Sequence, residues 1–169
     1  MSARRLWLAM VILLVPVAAD AHLHKADLYA GGSLARGSTL GGIQETISIT
    51  LPNLSPLSIL GDLSFHFGSR EDEDVSRFAF MTGLRWMLAV RGDNRHLAYG
   101  QFLVGGVHDQ VGMLATTTEP AVALGGGYEF DPNGEESRFA ARFQIEYVVS
   151  GGEDFPRASA GIVYRFRRQ

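Results

Sequence analysis

The ten residues Arg138-Phe-Ala-Ala-Arg-Phe-Gln-Ile-Glu-Tyr147 decide the fold. Arg138, Ala140, Arg142, Gln144 and Glu146 alternate with Phe139, Ala141, Phe143, Ile145 and Tyr147. A period of two marks a β-strand, whose successive side chains point to opposite faces. One face of this strand is polar and the other is wholly apolar. A helix would scatter both sets around its circumference.

Working outward, the same alternation recurs in four other stretches. Ser58, Leu60, Asp62, Ser64 and His66 stand against Leu57, Ile59, Gly61, Leu63, Phe65 and Phe67. Arg77, Ala79, Met81, Gly83 and Arg85 stand against Phe78, Phe80, Thr82, Leu84 and Trp86. Gln44, Thr46, Ser48 and Thr50 oppose Ile43, Glu45, Ile47, Ile49 and Leu51, and Ser159, Gly161, Val163 and Arg165 oppose Ala158, Ala160, Ile162, Tyr164 and Phe166. Ala26–Ala35, Leu97–His108 and Glu119–Phe130 follow the pattern more weakly. Gln101 puts the odd positions of the second on the polar side, and Val122, Leu124, Tyr128 and Phe130 share the apolar face of the third. Eight strands are expected, each about 9–11 residues long. Turn formers punctuate them, as in Leu51-Pro-Asn-Leu-Ser-Pro56 and Asp131-Pro-Asn-Gly134.

Composition agrees. Glycine contributes 20 of 169 residues, a surplus that helices tolerate poorly. The absence of cysteine excludes disulfides, thiolate zinc sites and a thiol nucleophile, and a net charge of −3 gives no reason to expect nucleic acid. At the start, Arg4 and Arg5, the apolar run Leu6–Val17 and Ala18-Ala-Asp-Ala21 have the three parts of a secretory signal peptide. Residues 1–21 are expected to be cleaved, leaving residues 22–169 as one domain.

Alternation alone does not say which face is wet. A soluble barrel points apolar side chains inward, whereas a membrane barrel turns them toward lipid around a polar lumen. The apolar face carries Phe65, Phe78, Phe80, Trp86, Phe143, Tyr147 and Tyr164, more bulk than the interior of eight strands accommodates. The opposite face mixes Gly, Ala and Ser with a few charges, which suits a narrow lumen. The expected class is therefore all-β, an eight-stranded antiparallel up-and-down transmembrane β-barrel. Its lumen is expected to hold a polar network of Asp62, His66, Arg77, Arg85, Glu129, Arg142, Gln144, Glu146 and Arg165. Buried charges require partners, so a packed salt-bridge network is favoured over a conducting lumen.

Four stretches carry a family likeness: Ala26-Asp-Leu-Tyr-Ala-Gly-Gly-Ser33, Leu60-Gly-Asp-Leu-Ser-Phe-His-Phe-Gly68, Ala123-Leu-Gly-Gly-Gly127 and Ser159-Ala-Gly-Ile-Val-Tyr-Arg-Phe166. They resemble the outer-membrane β-barrel domain family, related to the OmpA barrel and to OmpX-like proteins. The resemblance implies an outer-membrane location with both termini on the periplasmic side. It places Arg36–Gly42, Gly68–Val75, His108–Thr118 and Ser150–Arg157 in outward loops. The aromatic-ended last strand, with Ile162, Tyr164 and Phe166, resembles the signal read by the barrel-insertion machinery. Partners are then outer-membrane lipid, that machinery and a surface ligand of unspecified chemistry.

Chemistry-bearing motifs are sparse. His108-Asp109 lies near Thr116, Thr117 and Thr118, but a His–Asp pair in a loop is ordinarily solvated. His22 and His24 form the one weak candidate metal pair, for Cu²⁺ or Ni²⁺, and only if cleavage follows Ala21. Glu71-Asp72-Glu73-Asp74 lacks the spaced ligands of a calcium loop. Gly125-Gly-Gly127 sits within a strand with no helix behind it, so it reads as allowing barrel curvature or close side-chain approach. No cofactor and no enzymatic activity are expected. The leading expectation is a structural or surface-interaction role in the envelope. A narrow porin-like channel and a soluble periplasmic lipocalin-like barrel binding an apolar ligand are the other two.

Overall fold

The eight alternating stretches become β1 (Lys25–Ala35), β2 (Leu40–Thr50), β3 (Leu57–Arg70), β4 (Glu73–Ala89), β5 (His96–Val111), β6 (Ala115–Phe130), β7 (Phe139–Ser150) and β8 (Phe155–Phe166). The computed structural model describes residues 25–35, 40–50, 55–70, 73–89, 95–111, 115–133, 137–151 and 153–166. Residues 1–24, which contain the expected signal peptide and both His22 and His24, lie outside the described residues.

Each strand pairs antiparallel with the next, and β1 pairs with β8 to close the sheet. Closure leaves no open sheet edge along the wall where all eight strands pair, so the backbone there is satisfied within the sheet. From Lys25 the partner-to-partner path runs through Thr50, Ser58, Arg85, Gln101, Gly125, Glu146 and Arg157. It returns to β1 at Ala35, ten residues on. That shear tilts the strands and leaves an interior that side chains fill.

The strands are longer than the sequence pattern suggests, and β4 reaches 17 residues. The difference lies at the end away from the termini. Ser69 pairs with Asp74, and Asp109 with Thr117, so most of Gly68–Val75 and His108–Thr118 is ladder rather than loop. Charged and Thr-rich composition resembles a loop, but the backbone groups there are satisfied across the hairpins. Only residues 36–39, 71–72, 112–114 and 151–154 join strands at this loop end. The β5–β6 hairpin runs six residues past Ala121, where β6 last pairs with β7, and forms a one-sided lip.

The two faces divide sharply. Ile145 is 68% exposed and Leu124 67%, and Trp86, Phe143 and Phe139 are also turned outward. Inside, 19 buried polar or charged residues accompany 17 buried hydrophobic ones among those described. A soluble core of this size would be overwhelmingly apolar. The partition is that of a barrel whose outer solvent is hydrocarbon.

Candidate functional site

The lumen is the chemically populated part of the molecule, and strand parity builds it. Even positions of β2, β3 and β7 point inward, as do odd positions of β1, β4, β5, β6 and β8. Shear brings residues from non-neighbouring strands to the same height, so charges distant in sequence meet.

At mid-height Arg157 of β8 is the hub. Its Nε donates to Glu146 Oε2 at 2.7 Å, Nη1 to Ser64 Oγ at 2.7 Å and Nη2 to Asp62 Oδ1 at 2.8 Å. Asp62 Oδ2 also accepts from Gln44 Nε2 at 2.5 Å and Thr46 Oγ1 at 2.9 Å. Gln101 donates to Glu146 Oε1 at 2.5 Å and accepts from Arg85 Nε and Nη2 at 2.9 and 2.8 Å. Both carboxylates and the guanidinium are essentially solvent-free, at 0–1% side-chain exposure. Gly125 stands between Gln101 and Glu146 in the ladder. A Cβ there would meet Ile145 O at 2.4 Å and Glu146 Cγ at 2.6 Å, so only glycine leaves the two side chains free to join.

Toward the termini a second cluster surrounds Arg142. Its Nε and Nη2 donate to Glu129 Oε1 at 2.9 and 2.5 Å, and Nη2 reaches Asp27 at 3.3 Å. Arg165 donates to Glu129 Oε2 at 2.9 Å and also pairs with Asp131. Two tyrosines line the lumen beside these clusters, and Tyr99 touches both. Tyr29 donates to Ser159 at 2.9 Å and Tyr99 to Gln144 Oε1 at 2.8 Å. The Tyr99 ring lies under the Arg85 guanidinium at 4.4 Å and that of Arg142 at 5.5 Å, and cation–π attraction offsets part of the burial of charge.

Above the mid-height hub comes an apolar layer that includes Leu40, Val107, Val148 and Phe155. Above it, at the loop-end rim, Arg77 forms a bidentate pair with Asp109, at 2.6 and 2.9 Å, and reaches Glu153 at 3.2 Å. Arg77 also stacks over Phe155 at 4.1 Å. The apolar layer and the paired rim occupy the loop-end part of the lumen.

All nine residues singled out from the sequence point inward. Asp62 and Glu146 share Arg157, and Glu129, Arg142 and Arg165 meet in the terminal-side cluster. Arg85 joins through Gln101, and Gln144 through Tyr99. His66 and Arg77 stand apart: His66 Nε2 lies 2.9 Å from Ser33 Oγ, and Arg77 belongs to the rim. Arg157 itself escapes the sequence reading, which places it at the end of an outward loop because Gly151, Gly152 and Pro156 precede it. The signal was parity: Arg157 continues the inward set Ser159, Gly161, Val163 and Arg165. Gln44, Thr46, Ser64 and Gln101 lie on the polar faces of their strands, but without a charge nothing in the sequence marks them as needing a buried partner. Asp27, Tyr29 and Tyr99 lie on the more weakly patterned strands.

Elsewhere, Ile162 faces outward at 60% exposure, with Tyr164 and Phe166 beyond it on the same face of β8. Tyr164 packs against Phe139 at 5.3 Å and edge-on to Phe166 at 4.9 Å, part of an aromatic belt at the terminal end. His108 Nδ1 lies 2.7 Å from Thr118 Oγ1, but Asp109 is on the opposite face and held by Arg77. Asp109 therefore does not supply this hydroxyl–imidazole pair with the orienting carboxylate that nucleophilic catalysis uses. Among the described residues no group of His, Asp and Glu has metal-binding geometry.

This combination of closed sheet, apolar exterior and ion-paired lumen defines the class of eight-stranded transmembrane β-barrels. Solved structures share the fold, three of them as follows. Ail, the attachment invasion locus protein of Yersinia pestis, superposes with a TM-score of 0.61 at 15% identity, over 85% of this chain and 99% of Ail. Neisserial surface protein A gives 0.66 at 10% identity, over 84% of this chain and 96% of that one. The N-terminal barrel of Pseudomonas aeruginosa OprF gives 0.54 at 11%, over 85% and 98%. At these identities the likeness is one of fold. No protein-family model and no curated protein matches the sequence.

Proposed function

We propose that the protein is a small outer-membrane barrel with a sealed lumen, which serves envelope structure and makes surface contacts through its loop-end rim. The observation that carries this reading is the lumen: Arg157 with Asp62 and Glu146, Arg142 with Glu129, and the apolar layer above them fill the cross-section. Charges paired this tightly hold the wall together and are poorly placed to guide an ion, and Arg85 is held against Gln101 and the Tyr99 ring. A lipocalin-like carrier needs an apolar cavity and a polar exterior, the reverse of the partition seen. Export by residues 1–21, and delivery of the last strand to the insertion machinery through Ile162, Tyr164 and Phe166, complete the reading. The rim favours cationic partners, because Glu73, Asp74, Asp109, Glu119, Glu153 and Asp154 lie toward the loop ends of their strands, with Asp109 and Glu153 paired to Arg77. Ail has been crystallised with the heparin analogue sucrose octasulfate. An acidic rim is a poor match for such a polyanion.

Cell fractionation followed by planar-bilayer recording tests the proposal. The protein is expected to resist osmotic shock, to require detergent, and to migrate differently on gels before and after heating. Reconstituted, it is expected to give no steady conductance. Release by osmotic shock would contradict the membrane reading, and reproducible open steps would replace the sealed barrel with a channel.

A further inference from the structure

The outward surface carries one carboxyl that nothing in the lumen explains. Glu45 occupies the sixth of eleven positions in β2, between Ile43 and Ile47 on the lipid-facing side. Its ladder partners are Ala30 of β1 and Leu63 of β3, so it sits midway up the wall. The other outward Asp or His side chains among the described residues, Asp74, His96, His108 and Asp154, lie at or close to strand ends. Glu45 is half-buried, and no described residue gives its carboxyl a hydrogen bond or ion pair. Beside it a groove of about 280 Å³, lined by Leu28, Ile47, Gly61 and Phe80 among others, is floored in part by glycine.

A carboxyl in hydrocarbon without a partner is costly, and intramembrane ionisable residues ordinarily mark a contact or a pathway. The lumen is on the other side of the strand, so Glu45 serves no pathway through the barrel. Headgroups lie at the two interfaces and do not reach mid-height. A partner at that depth would be a polar group carried by another membrane-spanning chain. A second copy meets the condition without further assumption. A two-fold axis along the membrane normal keeps every residue at its own height and brings Glu45 to face Glu45.

We infer that the β1–β2–β3 face is the interface of a homodimer, in which the two Glu45 carboxyls share hydrogen bonds across a two-fold axis. Gly61, diagonal to Glu45, lets the two walls approach closely, as small residues do at helix contacts within membranes. At least one proton is held between the two carboxyls, since two bare carboxylates would repel. The inference rests on the membrane-spanning reading and adds to it a partner and a surface.

The absence of cysteine makes the test clean. Single substitutions Ile43→Cys and Ile47→Cys flank Glu45, and Leu124→Cys on β6 lies across the barrel as a control. Urea-washed membranes containing each variant are oxidised with copper phenanthroline and examined on non-reducing gels. A band at twice the chain mass is expected for Ile43→Cys or Ile47→Cys and not for Leu124→Cys. Adding Glu45→Leu is expected to weaken dimerisation about five- to thirty-fold, as loss of intramembrane hydrogen bonds does. Glu45→Gln, which pairs amide to amide, retains the band. Equal yields at all three positions, a band of any other mass, or an unchanged yield with Glu45→Leu would overturn the dimer while leaving the membrane reading intact. Loss of the protein from washed membranes in every variant would overturn both.

Discussion

Replacing Arg157 with methionine removes the hub of the lumen while preserving most of its volume. Four close contacts go, to Glu146, Ser64 and Asp62, all between 2.6 and 2.8 Å. Asp62 keeps Gln44 and Thr46 as donors, and Glu146 keeps Gln101. Both carboxylates nevertheless lose their counter-charge at a site with 0–1% exposure. Stripping one partner from a buried ion pair costs about 3–5 kcal/mol, and the surviving donors place this case near about 3 kcal/mol. Urea titration in phospholipid vesicles reads the change, with the folded fraction taken from the mobility of unheated samples. The companion variant Asp62→Asn, Glu146→Gln, Arg157→Met carries no charge at the hub. It is expected to recover to within about 1–2 kcal/mol of the parent, because a buried ion network replaced as a whole is often neutral. A single variant within about 0.5 kcal/mol of the parent, below the usual cost of any core change, would refute the reasoning. So would a triple variant as unstable as the single one.

The same titration checks four other expectations. Leu124→Arg is expected to cost about 2–4 kcal/mol if that face meets lipid at mid-height, and within about 0.5 kcal/mol if it meets water. Gly125→Val is expected to lose at least about 1–3 kcal/mol through overpacking against Ile145 and Glu146, whereas Gly32→Val, with nothing within 4 Å of its Cβ, is expected to be silent. Tyr99→Phe leaves Gln144 Oε1 without its donor inside the lumen, for a loss of about 1–3 kcal/mol. Arg77→Ala is expected to cost less than Arg157→Met, because its partners Asp109 and Glu153 are 25% and 33% exposed and solvent takes over their charge.

Strand parity carried most of what could be read in advance. Arg142, Gln144 and Glu146 announce their common face because three polar residues at alternate positions are hard to arrange any other way. The register around the ring was not legible, and neither were the partners it creates. Asp62 and His66 lie on one face of β3, four residues apart, yet they join different groups. Asp62 meets Arg157 from β8, and His66 meets Ser33 from β1. Sequence spacing does not reveal shear, which decides such meetings. Arg157 was hidden by its surroundings, since Gly-Gly and Pro mark a loop in most contexts. Here Gly151 lies just past β7, and β8 already begins at Phe155, two residues before Arg157. Glu45 is the opposite case. It stands on an apolar face of the sequence pattern, and closure of the barrel places it midway up the wall with no partner among the described residues.

Trp86 offers the most direct check on the partition of the two faces. It is 54% exposed on the outward side of β4, and the sequence has one other tryptophan, Trp7. In a Trp7→Phe chain reconstituted into vesicles of brominated phospholipid, Trp86 is expected to be strongly quenched by the lipid and little affected by aqueous iodide. Strong iodide quenching with no effect of bromination would place Trp86 in water and contradict the lipid-facing exterior on which the sealed-barrel reading stands.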